Sequence, residues 1–306
     1  VNPAGARRLG GHLDALENEA IHILREGVAQ AQRPVLLFSA GKDSTVLAHL
    51  AVCAFHPAPP PMPLLHVDST WEFRELLAFR DAFARAHRFE LHVYANEAGR
   101  AAGINPFDHG EVYTTAMRTD ALKQALDRGR HDVVFGGARR DEERTRAKER
   151  VFSVRSATHA WNPRQQRPEL WNLYNTRLAP GQSLRAYPLS NWTELDIWCY
   201  ALRRELALAP LYFAASRPVV ERDGGVLVVD DPARMRLAPG ETVTHRPVRF
   251  RTLGCWPVTG AIASDARDLR AVIAETARAS GSERQGRLAD REGGGSLEQQ
   301  KLEGYF

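Results

Sequence analysis

The chemistry-bearing residues of this chain begin at Ser39-Ala40-Gly41-Lys42-Asp43-Ser44, set between the apolar run at 35–38 and a renewed apolar stretch. A buried strand that passes straight into a helix start points backbone N–H groups outward, and these attract an anion. Gly41 lets the backbone come close to phosphate oxygens. Ser39 and Ser44 add hydroxyl donors, and Lys42 adds a mobile positive charge. The pattern is not a Walker loop. That loop needs a glycine where this chain has Leu36, and a serine or threonine where it has Asp43.

A second concentration of chemistry is GGARRDEERTRAKERVFSVR, residues 136–155, with seven basic and four acidic side chains. Such a run is usually a solvated helix face laced with ion pairs. Here it leaves the carboxyl end of an expected strand through Gly136 and Gly137. That start aims Arg139, Arg140 and Arg144 at the same mouth as the loop, with Arg146, Lys148 and Arg150 behind them. The planar fork of arginine suits phosphate and sulfate oxygens. His66 and Asp68 close another strand, at the edge where open α/β sheets hold ligands. They are candidates to meet a nucleoside or a magnesium ion; a core histidine and a helix-capping carboxylate are the plain alternatives.

The elements that must position these residues follow from hydrophobic periodicity. Leu13, Leu16, Ala20, Leu24 and Val28 recur at helical spacing. The continuous apolar run at 35–38 reads as a parallel strand buried on both faces, and further strands are expected at 64–67, 89–94 and 132–137, separated by helical stretches at 44–50, 72–87 and 114–129. Strand and helix in that rhythm make an α/β layered fold, a mostly parallel twisted sheet with helices on both faces. After residue 155 the sequence becomes aromatic and turn-rich. Then come a strand near 183–187, a helix capped at Asn191 or Thr193, and a hairpin over 219–229 turning at Gly224-Gly225. We expect an α/β domain over 1–215 and a smaller irregular region over 216–306, with a hairpin, a helix and a polar tail. The tail from about Ser280 is either flexible or ordered by a partner.

Composition excludes several classes. The 306 residues are 43% hydrophobic and 25% charged, with a net charge of +4. Membrane and nucleic-acid partners are not expected, and a start lacking an apolar signal core suggests the cytoplasm. Cys53, Cys199 and Cys255 are far apart, which argues against zinc, an iron–sulfur cluster or a disulfide framework. All three read as packing residues.

The loop resembles that of the N-type ATP pyrophosphatases, which split ATP between the α and β phosphates; Ala40 stands where that family often has glycine. Together with GGARRDEERTRAKER, RQQRPELW, PLSNWTELDIW, RFRTLGCWPVTG, GSERQGR, LENEAIHILRE and GINPF, the chain resembles the ATP-binding small subunit of bacterial sulfate adenylyltransferase along essentially its whole length. One departure is Ser69-Thr70, where the resemblance leads us to expect threonine and then a small residue.

That resemblance implies an enzyme making adenosine 5′-phosphosulfate and pyrophosphate from sulfate and MgATP, with a large GTPase subunit that binds GTP as partner. It implies that Lys42 and the loop, with Ser39, Gly41, Asp43 and Ser44, hold the leaving pyrophosphate, and that Asp43 is a candidate magnesium ligand. Arg139, Arg140 and Arg144 would serve the α-phosphate and sulfate; Arg146, Lys148, Arg150, Arg249 and Arg251 are further sulfate candidates. The chemistry fits: sulfate is fully ionised and needs no general base, so cations and oriented donors are what the reaction requires. Related readings are a reductase of adenylylated sulfate, a tRNA thiolase, or a non-catalytic paralogue that scaffolds the GTPase. The first two need reactive cysteines in patterns this chain lacks.

Overall fold

The computed structural model describes residues 3–142 and 144–279, with the side chains of residues 3–10, 144 and 145 left outside that description. The GSERQGR segment and the polar tail therefore lie outside the described residues.

Helix α1 (Pro3–Gln30) lays Leu13, Leu16, Ala20, Ile23 and Leu24 against the sheet. Gly27 lets it pass over Phe135, since a Cβ there would meet that ring at 2.7 Å. In order there follow β1 (Pro34–Leu37), α2 (Lys42–Phe55), β2 (Leu64–Val67), α3 (Arg74–Ala86), β3 (Leu91–Tyr94), α4 (Glu97–Ala101) and α5 (Pro106–Thr114). A π-helical turn, Thr115–Asp120, then leads into α6 (Ala121–Gly129), β4 (Val133–Phe135), a 3₁₀ turn (Arg144–Lys148), β5 (Phe152–Arg155), β6 (Ser183–Ala186) and α7 (Glu194–Arg203). The single helix expected over 114–129 is thus broken by a wider turn.

The six strands order β3-β2-β1-β4-β6-β5, all parallel except β5, which runs antiparallel to β6. Alternation explains how both faces are filled. Leu36 and Phe38 enter the large core under α1 and α2, while Val35 and Leu37 join Leu122, Leu126 and Val134 beneath α6. From β1 the chain goes first to β2 and β3, then crosses to β4 on the other side. That reversal opens a crevice at the carboxyl ends of β1 and β4, where doubly wound sheets hold ligands.

Beyond α7, β7 (Ala215–Arg222), β8 (Gly225–Val228), β9 (Thr244–Arg249) and β10 (Gly260–Ala263) close into a small barrel of order β10-β8-β7-β9, followed by α8 (Leu269–Thr276). The hairpin turns one residue earlier than its glycines suggest. Asp223 and Gly224 take the two left-handed positions (φ 51° and 70°) and Arg222 pairs with Gly225. α7 is capped by Thr193, whose hydroxyl accepts from the Asp196 N–H while the Asp196 carboxylate accepts from the Thr193 N–H. No helix among the described residues is long and apolar enough to cross a membrane.

Candidate active site

The loop after β1 is held in shape by its own polar groups. Ala40 sits in the left-handed region (φ 57°), which explains why glycine suits that position. The Ser44 hydroxyl donates to the Gly41 carbonyl at 3.1 Å and lies 3.2 Å from the Ser39 hydroxyl, which accepts from the Gly41 N–H at 3.3 Å. Gly41 is the N-cap of α2 and supplies no side-chain cap, so that helix start has no capping acceptor of its own. The Lys42 N–H is the exception, donating to the Tyr212 hydroxyl at 2.7 Å. A Cβ on Gly41 would press on that hydroxyl and on Ser39, at 3.3 and 3.2 Å.

Asp43 is the electrostatic hub. Its Oδ1 accepts from Arg139 Nε at 2.6 Å and its Oδ2 lies 3.1 Å from Lys42 Nζ. Lys42 and Arg139 are each only 1% exposed while the Asp43 side chain is 26% exposed, so the two cations are shielded and the carboxylate between them is only partly so. Burial opposes ionisation of the Asp43 carboxyl, but the charges of Arg139 and Lys42 outweigh it and hold the group below its ordinary value. Lys42 Nζ also sits 5.9 Å above the Trp198 ring. Gly137 fits under this cluster because a Cβ would come within 3.1–3.2 Å of Asp43 and the Ser44 nitrogen, and the Gly136 N–H donates to the Ala186 carbonyl at 2.9 Å.

The other arginines divide. Arg140 turns to the Asn191 side-chain oxygen at 2.5 Å, and Asn191 is itself held by Glu19. Arg144 has a backbone position in the 3₁₀ turn but its side chain lies outside the described residues. Arg146 is buried against Glu149 at 3.3 Å and Glu142 at 3.8 Å, whereas Lys148 and Arg150 are exposed. Arg249 pairs with Glu275 at 2.9 Å beside α8. Arg251 reaches Glu194 at 2.6 Å, and Glu194 in turn accepts from Trp198 Nε1 at 3.3 Å. Arg251 therefore stands in the same chain of contacts as Lys42.

On the β2 side, His66 is 2% exposed and its Nδ1 is 2.9 Å from the Phe38 carbonyl, so Nδ1 carries the proton and donates. Nε2 meets no hydrogen-bond partner among the described residues. Burial keeps this ring neutral by lowering its pKa, against the pull of Glu72. His66 lines a cavity of about 110 Å³ walled by Leu37, Phe38, Leu65 and Leu122, with Ser39, Glu72 and Arg118 at its polar rim. Asp68 does not cap α3, whose N-cap is Phe73. Its Oδ1 instead accepts from the Thr70 N–H at 2.7 Å, fixing Thr70 at φ 68°.

Sequence reasoning missed Tyr212, Trp198, Glu72 and Arg118, which reach the site only through tertiary packing. It also missed the strand β5. Its signal was present, Phe152 and Val154 alternating with Ser153 and Arg155, but a basic run masked it. Cys255 is buried, within 2.9 Å of the Tyr113 hydroxyl and 3.1 Å of Ser69 Oγ, as a packing residue would be.

Comparison with known proteins gives the family. The model of the phosphoadenosine phosphosulfate reductase domain matches residues 33–261. A sulfate adenylyltransferase subunit 2 from Brucella anthropi is 60% identical over 296 residues, 96% of both chains. This chain belongs to the sulfate adenylyltransferase subunit 2 family. A relative of that name from Geotalea daltonii is 59% identical over 296 residues, 96% of this chain and 98% of the relative. A solved phosphoadenylyl-sulfate reductase from Candida auris covers 66% of this chain and is itself covered to 89%, at 15% identity and a TM-score of 0.46. The region that the family model matches contains the β1 loop, the basic run and the first three barrel strands of this sulfate adenylyltransferase subunit 2 relative, so the Lys42–Asp43–Arg139 cluster lies inside it.

Proposed function

We propose that this chain is the catalytic subunit of a sulfate adenylyltransferase, moving AMP from MgATP to sulfate to give adenosine 5′-phosphosulfate and pyrophosphate. The observation that supports this best is the buried Lys42–Asp43–Arg139 cluster at an uncapped helix start, beside an apolar cavity in the sheet's crevice. Adenine fits the cavity at His66, whose neutral Nε2 accepts a hydrogen bond. The triphosphate then runs over the loop, where α2 N–H groups and Lys42 face the β and γ phosphates.

A sulfate oxygen attacks the α-phosphorus, the bond to the bridging oxygen of the β-phosphate breaks, and its electrons leave with pyrophosphate. No proton needs removing from sulfate, which agrees with a site built of cations. Arg139 faces the charge that grows on the transferring phosphoryl group, and Asp43 keeps Arg139 and Lys42 in place. Of the more distant arginines, Arg251 is the one linked to this cluster. Both Asp43 oxygens already face cations, so the carboxylate does not fit a resident metal; magnesium enters with the nucleotide, on its phosphates.

The relatives' name, subunit 2, is that of one component of a heteromeric enzyme. We take the missing component to be a GTPase, because a phosphate–sulfate anhydride lies uphill of ATP and needs a second energy source. A consumer of ATP and GTP works in the cytoplasm. We also take 1–215 as the pyrophosphatase unit and 216–306 as a C-terminal region, a division supported by the barrel's first strand starting at Ala215.

The test is a pyrophosphate-release assay with and without sulfate, GTP and a GTPase subunit. Sulfate-dependent release is expected to be feeble for the chain alone and to rise with GTPase and GTP. Lys42→Ala is expected to lower it by about 10²–10³-fold, the scale of losing one transition-state donor. Release that ignores sulfate, or survives that substitution, sinks the reading.

A further inference from the structure

Strands β5 and β6 pair with Ser153 opposite Arg185 and Arg155 opposite Ser183. Phe152, Val154, Leu184 and Ala186 belong to the large core, so the alternate residues share the opposite face. That face continues Val134 of β4, which is paired with Arg185 and packed beneath α6. The four residues make a two-by-two block of serines and arginines, and all are buried: Ser153 and Arg155 are 0% exposed, Arg185 1% and Ser183 7%.

The two arginines are treated differently. Arg155 donates to Glu149 at 2.8 Å and to the Tyr187 hydroxyl at 3.1 Å. Among the described residues, Arg185 has no acceptor within reach of Nε, Nη1 or Nη2. The hydroxyls of Ser153 and Ser183 and the Nδ1 of His159 also meet no hydrogen-bond partner among the described residues. The nearby acids are committed: Glu149 serves Arg146 and Arg155, and Asp127 bonds His159 Nε2 at 2.8 Å with its own side chain largely in solvent. Burial first, and then the charge of Arg155, push Arg185 down to about 10, which still leaves it a cation at neutral pH. A guanidinium presents five donors and no acceptor, and burying one with nothing to receive them is among the costlier arrangements a fold can hold.

We propose that Arg185, with the Ser153 and Ser183 hydroxyls, forms a buried seat for a tetrahedral oxyanion of the sulfate class. Such an ion is all acceptor, offers oxygens in several directions, and takes a guanidinium fork on two of them. The seat lies one strand from Gly137, which packs under Asp43, since the N–H of the preceding Gly136 bonds the carbonyl of Ala186, next to Arg185. Two sources supply this chemistry, substrate sulfate and a resident structural anion. Only the substrate assignment rests on the function proposed above; the seat itself does not.

The direct test is a crystal of the full chain, grown without sulfate or phosphate and soaked in selenate. An anomalous selenium peak between Arg185 and Ser153 is expected. No peak there, or one only at the β1 loop, overturns the seat. In solution, low millimolar sulfate at matched ionic strength should raise the melting temperature, and Arg185→Met should lose that shift; an equal shift in the variant counts against the seat. Should Arg185→Met fail to fold, the Ser153→Ala/Ser183→Ala variant keeps the charge and should weaken sulfate binding by about threefold or more, the loss expected from one or two hydrogen bonds. Unchanged binding overturns the proposal. A raised KM for sulfate with an unchanged KM for ATP in the double variant identifies the anion as substrate; a lost melting shift with unchanged KM identifies it as resident. If the chain proves not to adenylylate sulfate, selenate still marks the seat, so the two ideas fail separately.

Discussion

At the scale of single residues, Asp43 decides how the cluster behaves. Its folded pKa is depressed, so the stabilisation it provides is present above the ordinary carboxyl value of 3.8 and is lost as pH falls through the lower folded value. Arg139→Met removes the stronger of its two cations while desolvation persists. We expect the carboxyl to move up, the acid limb of the kcat/KM profile to shift to higher pH, and activity at neutrality to drop by about tenfold or more, as for a lost charge-assisted contact. An acid limb in the wild-type position would show that Arg139 does not hold Asp43. Cys255 gives a second residue-scale expectation. Burial raises its thiol and no solvent reaches it, so iodoacetamide should label it only after unfolding. Labelling of Cys255 in the native chain, read by mass spectrometry, would contradict the packing described.

At the scale of elements, the site depends on how closely β4 and α2 approach. A Cβ at Gly137 would sit 3.1 Å from the Asp43 carbonyl carbon and 3.2 Å from the Ser44 nitrogen, and backbone cannot swing aside as a side-chain tip can. Gly137→Ala should therefore displace the loop, costing about 1–3 kcal/mol by overpacking and most of the activity. A urea midpoint and a turnover rate both unchanged would refute that. α7 offers a gentler probe. Thr193→Ala removes the cap hydroxyl of a helix that carries Trp198, and should lower stability by about 1 kcal/mol with an unchanged urea m-value. Trp198 lies under Lys42 and bonds Glu194, so a loose α7 start should also reach the active site as a modest fall in kcat.

At the scale of the whole molecule, burial sets the response to acid. His49, His66, His87, His131 and His159 all have pKa values lowered from 6.5 with desolvation the largest cause, His49 to about 4. Each binds a proton more readily when unfolded. Stability is thus fully present above pH 6.5 and declines as pH falls from there towards 4, the unfolded chain taking up protons that the folded chain refuses. The melting temperature should fall steadily across that window, without the plateau expected if only carboxylates were titrating.

Much of this protein is written in one dimension. The β1 loop is legible because strand, glycine, lysine and helix are contiguous, so the groups that face an anion are neighbours along the chain. The inner strand β1 is legible for the same reason: buried from Val35 onward, it is an unbroken apolar run, and the helices between the strands repeat every three or four residues. The capping box of α7 needs only Thr193 and Asp196. What sequence left undecided is every pairing across distance. Arg139 and Arg140 are adjacent, yet one enters the Asp43 cluster and the other turns to Asn191, because their side chains leave the backbone towards different elements. Tyr212 meets the Lys42 N–H across 170 positions, and no local pattern marks it. Arg185 and Ser153 become neighbours only when β5 turns back along β6. Spacing along the chain fixes which donors exist; strand order and burial decide which of them find an acceptor, since a charge must be matched in three dimensions wherever water is excluded.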